Sequence, residues 1–506
     1  MRHGLFSFVL AFVLCFPSFG RENVQTVKSL RLIPYPKQVI KSSGEFRLDR
    51  PLRLQAPEAV IRVVAAWIGE ELKGAGFGRP ISRGNPTRSQ QKADVIFLSP
   101  LGRTLEPTAL AMPAAAGLRS FRQGATEEDY RLCVQPDGVL IAAKGPAGLL
   151  HGAATLCQLI RANRRGAAIP CLQIDDWPSL RWRAFQDDLT RGPSTRLEQL
   201  KRDVARGALL KLNIFTYYME YQFAYSRHPK IGPPDGSLTP QELAALVRHA
   251  QPLGVHILGN QQSFAHMHHI LAMEEYAHLR EDERTLSPVK EETYRFLDDL
   301  YADVLPLLPF EFFNVCCDET WGLGTKGPSQ ELAERIGPGG VYVRHLLRVH
   351  ELVHGKYGKR MMMWGDIILK HPDKLRLIPK DVIMLTWGYA PRESFEDQIV
   401  PFAKSGFEFF VCPGVSNWRR VLPHFRNSVV NIQNFVRDGA KHGALGMLNT
   451  SWDDDGENLN APNWYGFAWG AECAWNASNT PVEEFNRRVG AVLFGEPGDH
   501  FGRAIE

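Results

Sequence analysis

The chain has 506 residues, of which 44% are hydrophobic and 23% charged, a globular composition in a chain too long for one small domain. Its formal net charge is +4, and the basic residues are dispersed, which excludes a nucleic-acid-binding stripe. Beyond the first segment, no run of consecutive apolar residues is long enough to cross a bilayer.

The chain opens MRHGLFSFVLAFVLCFPSFG. Arg2 and His3 make a basic start, residues 5–16 an apolar core, and residues 18–20 a small-residue cleavage context. This is the pattern of a secretory leader, too short for an anchor. Residues 1–20 are therefore set aside, and the mature chain is expected to be exported and soluble, to periplasm, exterior or lysosome. Of 8 cysteines, Cys15 lies in the leader. The others show no dense framework and no CxxC spacing, so any disulfide among them is unassigned.

Residues 21–178 read as a small α/β domain. Residues 52–56, 94–99, 129–134 and 138–143 have strand character, and Pro136-Asp137-Gly138 joins the last two as a hairpin. Residues 145–162 have helical spacing. Pro178 marks the boundary to a segment over 179–506.

There, short apolar strands alternate with amphipathic helices. Strands are expected over 183–189, 212–219, 255–261, 312–317, 360–366, 382–388, 408–414 and 443–452. Helices are expected over 194–208, 239–252, 290–306, 340–356, 393–404 and 427–440, a short one near 367–377, and a closing helix in 479–506. Repeated βα units imply a parallel sheet, and eight of them imply a (β/α)8 TIM barrel. An open doubly wound sheet fits less well, because no glycine-rich phosphate loop follows a strand.

Barrel active sites lie at the C-terminal ends of the strands. Those ends carry Asp188 and Arg191, Glu220 and Tyr221, Gln262 and His266, Asp318 and Glu319, Trp364 and Asp366, Trp387 and Tyr389, Asn417 and Trp418, then Trp452 and Asp453. Tryptophans ringed around carboxylates suit a sugar, whose C–H faces stack on aromatic walls while its hydroxyls need charged partners. One or two of these tryptophans are expected to be purely structural fillers.

FNVCCDE at 313–319 resembles the fourth-strand signature of family 20 glycoside hydrolases, the β-N-acetylhexosaminidases. RAFQDDLTR at 183–191 resembles the first-strand motif of that family, and KLNIF at 211–215 the opening of its second. EYQFAY (220–225), QSFAHM (262–267) and AHLRE (277–281) look closest to the hexosaminidase D-like branch. GLLHGAATLCQLI at 148–160 resembles the helix of the small domain that precedes the barrel. The resemblance covers roughly residues 31–478, and motifs in the right order on the right strands make it specific.

The resemblance implies an exo-acting, retaining enzyme that uses the substrate's own acetamido oxygen as nucleophile. It implies Glu319 as general acid and base, and Asp318 as the residue that orients the acetamido group. Arg183, His266, Glu220, Trp364, Trp387, Trp418, Trp452 and Asp453 are the expected substrate-binding residues. The expected partner is an oligosaccharide or glycoconjugate ending in N-acetylhexosamine, with no metal, cofactor, nucleic acid or membrane span. Cys316 and Cys317 stand where the family pattern has glycines. Tyr389 is a candidate for the acetamido-binding tyrosine, and Trp469, Glu472 and Trp475 for the closing residues after strand eight. Another acetamido-sugar hydrolase, such as an endo-chitinase or O-GlcNAc hydrolase, and an inactive sugar-binding barrel stay open as alternatives.

His266 to His269, with His278, offer metal-ligand types, but no HExxH and no Cys/His spacing supports zinc, and His266 reads better as support for the neighbouring acids. Residues 453–457 read as a solvated loop, since they lack calcium-loop spacing. Asn476-Ala477-Ser478 is a glycosylation sequon, of consequence only in a eukaryotic source.

Overall fold

The computed structural model describes residues 30–78, 81–83, 94–100 and 121–506; the leader pattern lies outside them. The first domain is a seven-stranded sheet of β1 (Gln38–Arg47), β2 (Leu52–Gln55), β3 (Ser82–Arg83), β4 (Asp94–Pro100), β5 (Tyr130–Gln135), β6 (Gly138–Ala143) and β7 (Ala168–Asp176), in the order β1-β7-β5-β6-β4-β2-β3. β5 and β6 pair antiparallel across a two-residue turn, and β6, β4 and β2 run parallel. β1 has no alternating pattern because most of its side chains are exposed, so no period of two announces it.

Helix Pro146–Ala162 lies on this sheet and is buried along most of its length. A Cβ at Gly152 would stand 2.4 Å from Ile141 Cγ2 and one at Gly148 2.5 Å from the Asp129 carbonyl, so the glycines permit the close approach.

The second domain is a closed parallel barrel of β8 (Trp182–Asp188), β9 (Ile214–Tyr218), β10 (His256–Asn260), β11 (Phe312–Asn314), β12 (Arg360–Trp364), β13 (Ile383–Trp387), β14 (Phe409–Cys412) and β15 (Gly446–Asn449), with β15 pairing back onto β8. All eight expected strands form. Side chains alternate in and out along each strand. Trp182, Ala184, Ile214, Leu258, Phe312, Met362, Leu385, Phe410 and Leu448 fill the interior, while Phe185, Phe215, Phe313, Met361, Met363 and Val411 pack outward under the helices. Both faces are buried, which is why the strands read as continuous apolar runs.

β11 is shorter than the apolar run 312–317 suggested. Cys316 and Cys317 have φ of 61° and 62°, and left-handed backbone leaves the ladder.

After β15 comes helix Asn460–Asn476, buried on every side. It has no apolar stripe for a period to reveal, and the sequence reading did not place it. The tail forms two helices, Val482–Phe494 and His500–Ile505, rather than one. Asn476 is buried, with its amide donating to the Tyr35 carbonyl at 2.9 Å, so the sequon side chain is already committed. Cys133, Cys157, Cys171, Cys316, Cys317, Cys412 and Cys473 are free and buried. Among the described residues no helix is long and apolar enough to cross a membrane.

The two domains meet at polar pins. Lys211 Nζ lies 3.0 Å from Asp176 Oδ2, with both residues almost fully buried. Asp176 also accepts from Tyr130 Oη at 2.7 Å and Trp475 Nε1 at 2.8 Å.

Candidate active site

A cavity of about 660 Å³ opens at the C-terminal ends of the barrel strands. Its walls come from the loops after successive strands, as the barrel's geometry dictates. Arg191 follows β8, Glu220 follows β9, His266 and His268 follow β10, and Asp318 and Glu319 follow β11. Trp364 ends β12, Trp387 and Tyr389 close β13, Trp418 follows β14, and Trp452 and Asp454 follow β15.

His266 is the hub of the acidic side. Its Nδ1 lies 3.5 Å from Glu220 Oε1, and its Nε2 lies 3.4 Å from Asp318 Oδ2 and 3.3 Å from Glu319 Oε2. Its backbone is left-handed, with φ of 57°. Burial works against an imidazolium, but the charge of Asp318 and the contacts to Asp318, Glu220 and Glu319 outweigh it and raise the pKa to about 11. Burial pushes the Glu220 carboxyl up, yet His266 and Arg191 bring it down to about 2. His266 is thus a cation and Glu220 an anion at neutral pH.

Glu220 accepts from Tyr218 Oη at 2.9 Å, and Arg191 Nη2 and Gln262 Nε2 each donate to that hydroxyl at 2.9 Å. Arg191 pairs with Asp454 at 3.1 Å and lies over the rings of Tyr218 and Trp452. Asp188 stands beneath: it accepts the N–H of Thr190 at 2.9 Å, of Arg191 at 3.3 Å and of Asp453 at 3.1 Å. It thereby ties the β8 loop to the β15 loop. Burial, opposed by Arg191, raises its pKa to about 7.

Asp366 Oδ2 accepts the Glu319 N–H at 3.1 Å. Burial and then the charge of Asp318 raise the Asp366 carboxyl to about 7. The aromatic side is continuous with the barrel interior. Trp452 Nε1 donates to Tyr389 Oη at 2.8 Å, Trp387 stacks on Tyr389 at 5.3 Å, and Tyr389 meets Trp418 at 5.0 Å. Trp364 and Trp452 belong to the inner core cluster, so these walls are packed from behind.

The structure brings together Asp318, Glu319, Glu220, His266, Trp364, Trp387, Trp418 and Trp452, with Tyr389. It does not place Arg183 there. Arg183 is the second residue of β8, at the opposite end of the barrel, fully buried, where it donates to the Lys211 carbonyl at 2.8 Å and pairs with Glu128 of the first domain at 2.5 Å. The arginine of that motif that lines the cavity is Arg191. Asp453 also turns away: it accepts from Asn417 Nδ2 at 3.2 Å and lines a neighbouring cleft beside Asp187. The next residue, Asp454, faces the cavity instead. Trp469, Glu472 and Trp475 are core residues of helix Asn460–Asn476, with Glu472 accepting the Tyr35 N–H at 2.8 Å.

Glu283, Arg284 and His268 complete the lining, and sequence reasoning missed the first two, which lie in a polar loop without period. Arg191 was legible as the last residue of the first-strand motif. Glu220, His268 and His269 hold ligand-type atoms within 4.8 Å of one another, but His269 stacks on Tyr221 at 4.2 Å.

Comparison with known proteins bears on the family and the fold. Residues 29–177 match "Glycosyl hydrolase family 20, domain 2", and residues 181–416 match "Glycosyl hydrolase family 20, catalytic domain". A β-hexosaminidase of Vibrio furnissii is 24% identical over 433 residues, 76% of this chain and 63% of that protein. Hexosaminidase D of Bos taurus is 26% identical over 206 residues, 38% of this chain and 60% of that protein. The chain thus spans under two thirds of the length of these curated relatives. The Flavobacterium johnsoniae chitobiase structure superposes with a TM-score of 0.75 at 22% identity, covering 94% of this chain and 73% of that one. The Streptomyces plicatus N-acetyl-β-hexosaminidase gives 0.70 at 20% identity, covering 93% and 95%; these two likenesses speak to the fold. Two family descriptions in tandem, on a small α/β domain and a barrel whose fourth strand runs out into an acid pair, establish that the chain belongs to glycosyl hydrolase family 20.

Proposed function

We propose that the protein is an exo-acting β-N-acetylhexosaminidase that works by a retaining, substrate-assisted mechanism. The observation that carries this reading is the adjacent pair Asp318 and Glu319 on the cavity wall, both held against the His266 cation. Glu319 gives its proton to the departing glycosidic oxygen while the substrate's acetamido oxygen closes on the anomeric carbon. Asp318 accepts the acetamido N–H and stabilises the positive charge of the cyclic intermediate. Glu319, now ionised, takes a proton from the water that opens it. Arg191, paired with Asp454, is placed for sugar hydroxyls, and Trp452, Trp364 and Tyr389 wall the acetamido side. A cavity backed by the core residues Trp364 and Trp452 supports removal of a terminal residue rather than cleavage within a chain. Export belongs to the same proposal and rests on the leader pattern of residues 1–20.

The test is hydrolysis of aryl β-glycosides of GlcNAc, GalNAc and glucose by the chain and by Asp318→Asn and Glu319→Gln. Phenol release from the N-acetyl sugars alone, lost in both variants, is the expected result. Equal release from the glucoside would overturn acetamido participation. No release by the folded protein would favour a sugar-binding barrel.

A further inference from the structure

Resting on that reading, we propose that a second saccharide subsite lies beyond Glu319, formed by Trp321, Arg284 and Lys370, and that it takes a leaving-group sugar bearing an anionic substituent.

The argument begins with direction. A proton donor touches the oxygen that leaves, so the leaving group lies on Glu319's outer side. Two features stand there to which the hydrolytic steps assign no role. Trp321, two residues after Glu319, is 56% exposed. A large aromatic ring held in solvent beside a catalytic acid is a platform without an occupant. The Arg284 guanidinium lies 5.8 Å from that ring's centroid and 3.8 Å from Glu319 Oε2. Its side chain makes no hydrogen bond among the described residues, so its fork of donors is available.

The surface continues into a second cleft of about 410 Å³, lined by Trp321, Asp366, Lys370, Asp397 and Gln398 and sharing Trp387 with the first cavity. Asp366 spans the wall between the two, since it holds the Glu319 N–H from that side. Lys370 is exposed at the cleft and has no ion-pair partner among the described residues. Asp397, by contrast, is already paired with Arg392 at 2.8 Å.

The charges give the substrate class. Glu319 must carry its proton to act as the acid, and in that form it no longer neutralises Arg284. Arg284 over Trp321 and Lys370 in the second cleft then face the leaving sugar; Glu283 and Asp366 line the same surfaces, but neither is ion-paired to these cations among the described residues. A carboxylate or sulfate on that sugar supplies the missing charge. It also offsets the pull of Arg284 against a protonated Glu319, so binding and protonation reinforce one another. The exchange is hydrolysis alone: the anomeric C–O bond breaks, the leaving oxygen takes the Glu319 proton, and no further reactant is needed.

Three substrates test this: an aryl β-GlcNAc glycoside, GlcNAc β-linked to a neutral hexose, and GlcNAc β-linked to a hexuronic acid. The acidic disaccharide is expected to be preferred over the neutral one by about tenfold in kcat/KM, one charge-assisted contact's worth. Arg284→Gln should abolish that preference. Trp321→Ala should lower kcat/KM for both disaccharides by about tenfold relative to the aryl glycoside, the size of one stacking contact. Equal rates on the two disaccharides in the wild type, or losses in the same proportion on all three substrates in both variants, would overturn the subsite. Failure on the aryl glycoside would instead overturn the hydrolase reading. In that event, binding of the acidic disaccharide to Glu319→Gln, followed by tryptophan fluorescence, decides the subsite separately, and absent or charge-indifferent binding rejects it.

Discussion

Nε2 of His266 stands 3.3 Å from Oε2 of Glu319, so the residue assigned to proton transfer is held against a cation that also faces Asp318 and Glu220. One buried imidazolium balances carboxylates that would otherwise repel one another in a poorly solvated site.

His266 has a folded pKa of about 11 against an ordinary 6.5. A raised folded pKa stabilises the fold fully below the unfolded value, and the contribution is lost as pH rises through the folded one. We expect His266→Asn to lower the unfolding free energy by about 3 kcal/mol at pH 6, in line with removing one partner of a buried ion pair. The deficit should shrink as pH climbs toward 10. Urea unfolding of both proteins across that range reads it; a deficit independent of pH would sink the idea.

Arg191 reaches Asp454, Tyr218 and Glu220 and lies over two aromatic rings. Lysine keeps the charge but loses the planar fork and the stacking. Arg191→Lys should lower kcat/KM for an aryl β-GlcNAc glycoside by about a hundredfold, mostly through KM, or about 2.7 kcal/mol. Arg183→Lys, at the far end of the barrel, should leave KM near the wild-type value. The reverse order of sensitivities would return Arg183 to the site.

Cys317 is buried with φ of 62°, a conformation that strains any residue with a Cβ. Alanine and glycine both delete the thiol and leave nearly the same gap, but only glycine relieves the strain. Cys317→Gly should therefore be more stable than Cys317→Ala by about 1 kcal/mol. The reverse ranking in thermal unfolding would show that the backbone is not strained there.

Asp176 is the only carboxylate within 4 Å of the buried Lys211 ammonium among the described residues. Burial lowers the Lys211 pKa, so the charge depends on its partner. Asp176→Ala should cost about 3–5 kcal/mol, and Asp176→Leu combined with Lys211→Met less than the single change. Denaturant midpoints for the variants decide it, and a loss below 1 kcal/mol for Asp176→Ala would mean that solvent reaches the lysine.

The barrel was legible because parallel strands buried on both faces must be short apolar runs, and each of these is followed by an amphipathic helix that covers it. The acid pair was legible because a strand that ends in two carboxylates has no structural need of them. Where side chains fell in three dimensions was less so. Arg183 and Arg191 sit on one motif, and only the direction of β8 through the barrel separates a pin at its base from a ligand at its mouth. Asp453 and Asp454 are neighbours, and the loop backbone, tied down by Asp188, sends one into a side cleft and the other to Arg191.

By itself, the sequence determined the order of strands and helices, the residues able to carry chemistry and the end of the barrel where they gather, because burial and chain direction are written in local pattern. Tertiary structure alone decided that His266 is a shared cation, that the all-buried helix Asn460–Asn476 is a core element, and that Trp321 faces solvent beside Glu319. Each of those depends on contacts between segments far apart in the chain, which no local period encodes.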